Sequence, residues 1–108
     1  MPYDIRHYLA ADGSDPFQDW LGALRDASAS VAVLRRVDRM SAGNFGDHKF
    51  CRDGVWEMRV DAGPGYRVYY AQQERTVIIL LCAGDKRTQR ADIHRAVDLW
   101  RELLRRQE

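Results

Sequence analysis

The chain has 108 residues, 45% of them hydrophobic and 31% charged, with a formal net charge of +1. This is the balance of one folded domain over residues 1–108, long enough to bury a core without metal or disulfide staples, and it excludes a disordered chain or a polycation. No apolar run reaches the length of a membrane span and "MPYDIRHYLA" lacks a signal-peptide pattern, so a cytoplasmic location with no membrane contact is expected.

The pattern "YDIRHYLA" alternates Tyr3, Ile5, His7 and Leu9 against Asp4, Arg6 and Tyr8, as a first strand does. A helix follows with a clear start. Asp15 caps it, Pro16 fits its first position, Gln18 completes a capping box, and Phe17, Trp20, Leu21 and Leu24 share one face. A second helix, "SASVAVLRRVDRMSAGN", buries Val33, Val37 and Met40 with Leu34 nearby. It shows Arg35, Arg36 and Arg39 to solvent and stops at Gly43-Asn44. The stretch "FGDHKFCRDG" reads as a loop carrying Cys51.

Three strands are predicted next, near residues 55–61, 65–72 and 76–83. The last, "TVIILLCA", is apolar on both faces and ends at Cys82, so it is expected to be an interior strand covered on both sides. After "AGDKRTQ" comes a final helix on which Ile93, Val97, Trp100 and Leu104 recur at helical spacing. The order β-α-α-β-β-β-α predicts a compact α+β domain, a mostly antiparallel sheet packed on helices. The two cysteines form no CxxC pair, and His7, His48 and His94 are too dispersed for ligand spacing. Reduced thiols, no metal and no cofactor are therefore expected.

Of the 17 basic residues 15 are arginine, and residues 86–108 hold seven basic side chains against four acidic ones. An arginine-rich coding bias explains this as well as phosphate contact does. The hairpin around "AGPGY" is more informative. If Val60 pairs with Tyr66, then Trp56, Met58, Val60, Tyr66, Val68 and Tyr70 fall on one face, and Arg59 stands directly opposite Arg67 on the other. A one-residue slip would mix the faces. Like charges opposite each other in a sheet destabilise it by up to about 1 kcal/mol. Two readings remain open. In the first, Glu57 bridges Arg67 diagonally while Tyr69 covers the stems, and the cluster is only structural. In the second, a polyanion supplies the countercharge. Tyr69 would then offer stacking or hydrogen-bonding surface, and Lys86, Arg87, Thr88 and Gln89 would converge on the same phosphodiester from the strand–helix junction.

The segments "WLGALRD", "RVDRMSAGNFGDHK", "GPGYRVYY" and "AGDKRTQRADIHRA", in this element order, resemble the RelE/ParE superfamily of type II toxin–antitoxin toxins. They are most similar to its HigB-like branch of addiction module killer proteins. The resemblance covers nearly the whole chain. It implies a growth-arresting toxin held by a cognate helix-turn-helix antitoxin, through which the pair binds operator DNA. It also implies metal-independent cleavage of mRNA, on the ribosome in many members. Carried over by position, Arg67 holds the scissile phosphate, Arg59 is a second cation on the sheet, and Lys86 or Arg87 is the basic residue after the last strand. Thr88, Gln89, Arg90 and Tyr69 are the expected RNA contacts. The chain departs from some ribonuclease members in having Glu57 in place of a lysine, and Asp92 and Ile93 where those members have a tyrosine. Glu57 then becomes a candidate general base, kept ionised by its arginine neighbours. ParE-like relatives inhibit DNA gyrase and cleave nothing, so a gyrase inhibitor is the alternative. A degenerate relative that only binds its antitoxin is a third possibility.

Overall fold

The computed structural model describes residues 2–108. Strand β1 (Asp4–His7) is followed by helices α1 (Pro16–Ala23) and α2 (Ala27–Ser41). Four strands follow: β2 (His48–Arg52), β3 (Val55–Val60), β4 (Tyr66–Gln73) and β5 (Val77–Asp85). A 3₁₀ turn over Lys86–Thr88 leads into α3 (Gln89–Arg106). The five strands form one sheet in the order β1-β5-β4-β3-β2, with β1 parallel to β5 and every other pair antiparallel. The expected α+β class and element order hold, with one addition. The stretch predicted as a loop contains β2, closed onto β3 by a two-residue turn in which Asp53 (φ 52°) and Gly54 (φ 84°) both take left-handed conformations. Asp-Gly is a strong hairpin signal. It is masked here because "HKFCR" is too polar to read as a strand.

Both helix starts follow from their caps. Asp15 accepts the Gln18 amide at 3.0 Å, and Asp26 accepts those of Ser28 (3.0 Å) and its hydroxyl (2.7 Å). Each satisfies amides that the first helical turn leaves unpaired. Helices α1 and α2 cover one face of the sheet, burying Phe17, Leu21, Val33 and Met40 against Met58, Val68, Tyr70, Ile78 and Leu80. Helix α3 covers the other, placing Ala96, Val97 and Trp100 on Val55, Tyr69, Ala71, Ile79 and Leu81. The apolar run of β5 is thereby buried on both sides, as expected, whereas Leu34 and Leu104 of the helix patterns stay exposed. Arg36 also departs from its predicted outward pose. It reaches across to the carbonyls of Phe45 (3.0 Å), Asp47 (3.4 Å) and Arg59, tying α2 to the end of β3.

An irregularity in the β4–β5 ladder positions the site. Tyr69 pairs with Cys82 and Tyr70 with Leu80, so Leu81 is an extra residue on β5. This bulge lets Leu81 and Cys82 both face α3, and it brings Gly84 opposite Arg67 at the end of the ladder.

Candidate functional site

The β3–β4 register is the one expected: Arg59 pairs with Arg67, Glu57 with Tyr69 and Val60 with Tyr66. The two guanidiniums lie on the α3 side of the sheet, where the helix starts too far along to cover them. Arg59 keeps 38% of its side chain exposed and Arg67 15%. Both bind Oε2 of Glu57 through Nε, at 3.2 and 2.8 Å. On the other oxygen, Gln89 donates to Oε1 at 2.9 Å and the Cys51 thiol approaches it at 3.6 Å. The Glu57 side chain is only 2% exposed. Burial pushes its pKa up, but the hydrogen bonds from Arg59, Arg67 and Gln89 outweigh that and hold it below the usual glutamate range. The repulsion between facing arginines is thus relieved by one carboxylate between them.

This carboxylate divides two depressions. On one side Arg59, Arg67 and Lys86 line a hollow of about 380 Å³, whose rim also carries Asp47, Asp61 and the Gly63–Gly65 turn. On the other side is a cleft of about 1000 Å³ between β2 and the start of α3, floored by Glu57. Lys49, Phe50, Cys51 and Arg52 form one wall, and Arg87, Thr88, Gln89, Arg90, Ile93 and His94 the other. The residues after β5 are held firmly. Asp85 caps the 3₁₀ turn through the Arg87 amide (2.8 Å) and binds the Arg87 guanidinium at 3.0 Å. Thr88 donates to Asp92 at 2.5 Å. A Cβ at Gly84 would run into the Asp92 carboxylate and come within 2.9 Å of Thr88 Oγ1, so a larger residue here would have to displace both side chains.

Arg59, Arg67 and Lys86 are therefore brought together. Glu57, Arg87, Thr88, Gln89 and Arg90 gather around the adjoining cleft. Tyr69 is a correction. It is fully buried under α3, offers no surface to a base, and its hydroxyl finds no protein partner. The expectation failed because the face called exposed carries a helix along most of its length. Burial raises the Tyr69 pKa well above the ordinary tyrosine value. Seven cleft residues were not foreseen as site residues: Lys49, Phe50, Cys51, Arg52, Ala91, Ile93 and His94. His94 carried a signal, since it lies one turn beyond Arg90 on the same helix. Among the described residues, no group of three His, Cys, Asp or Glu side chains is placed to hold a metal, and no helix is long and apolar enough to cross a membrane.

Residues 19–101 match the profile of a family described as phage-derived protein Gp49-like. The chain belongs to that family. The Gp49-like family is associated with toxin–antitoxin, or addiction, modules. An uncharacterized protein of Haemophilus influenzae is 46% identical over 87 residues, covering 81% of this chain and 88% of its own length. The Gp49-like match takes in both walls of the cleft and the whole Arg59–Arg67 pair.

Proposed function

We propose that the chain is the toxin of a type II toxin–antitoxin pair, of RelE/ParE type and nearest its HigB-like branch, and that it cleaves mRNA. Its partners on this reading are a helix-turn-helix antitoxin and mRNA engaged on the ribosome, in the cytoplasm. Membership of the Gp49-like family supports the toxin part. The observation that carries the nuclease part is the Arg59–Arg67 pair, clamped through Nε to one buried carboxylate, with Lys86 lining the same hollow. A guanidinium held through Nε keeps its Nη groups for a second anion, and a phosphate fits that fork.

The chemistry needs no metal. The 2′-oxygen attacks phosphorus and gives its proton to a base. The bond to the 5′-oxygen breaks, and that oxygen takes a proton from an acid. A 2′,3′-cyclic phosphate and a 5′-hydroxyl remain. Negative charge grows on the phosphoryl oxygens between these steps, which is where fixed cations act most strongly. Arg67 and Arg59 hold the phosphate in this scheme, and Lys86 and Arg87 the charge at its edge. Glu57 keeps the two forks in place. Its buried carboxylate, held at low pKa by three donors, makes a weak base. His94 lines the adjoining cleft, on the same face of α3 as Arg90.

Induced expression without an antitoxin is expected to arrest growth and to generate new mRNA ends. Arg67→Ala should relieve the arrest while remaining folded, because losing a charge stabiliser of this kind costs about two to three decades in rate. Intact mRNA together with blocked supercoiling by purified gyrase would replace the nuclease with the gyrase inhibitor.

A further inference from the structure

On the α1/α2 side of the sheet, a chain of aromatic rings surrounds a small hollow. Tyr3 meets Phe45 edge-to-face, with centroids 5.2 Å apart and planes at 87°. Phe45 lies 5.9 Å from Tyr70 and 5.7 Å from His48, and His48 lies 5.7 Å from Trp56. With Gln72 these rings line a volume of about 150 Å³. That is well below the roughly 300–1,000 Å³ of a pocket for a drug-sized ligand, so it admits one small group. Closing the edge of the core accounts for the rings, since Tyr70 is buried and Tyr3, Phe45 and Trp56 rest on the α1/α2 core. It does not account for the polar groups. Gln72 donates through Nε2 to the Arg75 carbonyl at 2.8 Å, which leaves Oε1 as an acceptor. His48 Nδ1 lies 2.8 Å from the Gly46 carbonyl and must carry a proton there, so Nε2 of the neutral ring is an acceptor too. Among the described residues no Lys, Arg, Asp or Glu lines the hollow.

Aromatic faces attract cations, and acceptors suit a cation that carries N–H groups. A quaternary ammonium would use the rings but has nothing to give the acceptors. A guanidinium is flat, weakly hydrated and rich in donors, so it uses both. We propose that this hollow receives the guanidinium of an arginine side chain from a protein partner. Phe50, 47% exposed and packed edge-to-face on Trp56 at 5.2 Å, extends the aromatic surface to the segment that carries the arginine. The Arg59–Arg67 pair stands on the opposite face of the sheet, so a partner anchored here leaves that pair open. The inference does not depend on the nuclease reading, and its test involves no RNA.

The purified full chain is followed by its amide and indole N–H NMR signals, at constant ionic strength and mildly alkaline pH so that imidazoles are neutral. The probe is a blocked Leu-Arg-Leu tripeptide, whose leucines can meet Phe50. Its control carries citrulline, which keeps the shape and the N–H groups without the charge. The arginine peptide is expected to shift the Trp56 and Gln72 signals saturably, and the citrulline peptide to bind roughly five-fold more weakly or worse. Trp56→Leu should weaken arginine binding by a similar factor, and Gln72→Glu, at an exposed position, should tighten it several-fold. Equal binding of the two peptides would overturn the proposal, as would the lack of a saturable shift up to roughly 0.1 M peptide. Unchanged affinity in a folded Trp56→Leu protein would do the same. If that variant does not fold, Gln72→Glu decides, and no gain in affinity there rejects the site. Arginine amide alone binding as tightly as the peptide would remove the protein partner, and tighter binding of tetramethylammonium would replace the arginine with a small quaternary cation.

Discussion

Glu57 carries more of the site than any other side chain, since it accepts from two arginines and a glutamine while almost wholly buried. Glu57→Gln should destabilise the protein by about 2 kcal/mol, the scale of lost hydrogen bonds to a charged group, as measured by urea unfolding. In an RNA-cleavage assay the same variant should lower the pH–rate profile without changing its shape. Loss of its acidic limb would instead make the carboxylate the base. Tyr69 gives the opposite expectation. Its buried hydroxyl has no protein partner, and such a group costs on the order of 1 kcal/mol or more. Tyr69→Phe should therefore raise the thermal midpoint and leave cleavage intact. A fall in RNA affinity in that variant would return Tyr69 to the binding surface.

Among the elements, the join between β5 and α3 has the least room. Gly84→Ala should push Thr88 and Asp92 apart and rotate the start of α3. Gln89 would then leave Glu57, and cleavage should fall while the far end of α3, anchored by Tyr8 on Glu102, stays formed. Amide hydrogen exchange resolves the two ends of the helix. Unchanged protection at residues 88–92 would show that the join yields elsewhere. At this scale the sequence was legible wherever a period could be counted. The Trp56–Val60 and Tyr66–Tyr70 alternation determined the register because only one pairing sorts the faces. Strand β2 escaped because its residues are polar and its only mark was the Asp53-Gly54 turn. The extra residue at Leu81 left no mark at all, since an apolar run reads the same with or without a bulge. Without it the position of Gly84 beside Arg67 could not be read.

For the molecule as a whole, the carboxylates with resolved shifts all titrate below their usual range: Glu57, the helix cap Asp26, and Asp12, Asp85 and Glu102. A folded-state pKa below the unfolded one stabilises the fold above the unfolded value, and that stability is lost as pH falls through the folded value. Stability from these groups should hold from neutrality down to about pH 5 and decline below about pH 4, where carboxylates begin to take up protons. Thermal melts across that range measure it, and a decline complete before pH 5 would contradict the assignment. The placement of β1 bears on how such a protein comes into being. Its neighbour in the sheet begins only at Val77, and the Arg59–Arg67 ladder is bordered by that same strand. A chain still emerging from the ribosome can close the β2–β3–β4 meander, but it has nothing to shield the remaining edge until β5 emerges. The join that holds Lys86 and Arg87 follows later still. The cluster of Arg59, Arg67 and Lys86 is therefore complete only after β5 and the turn that follows it have been made.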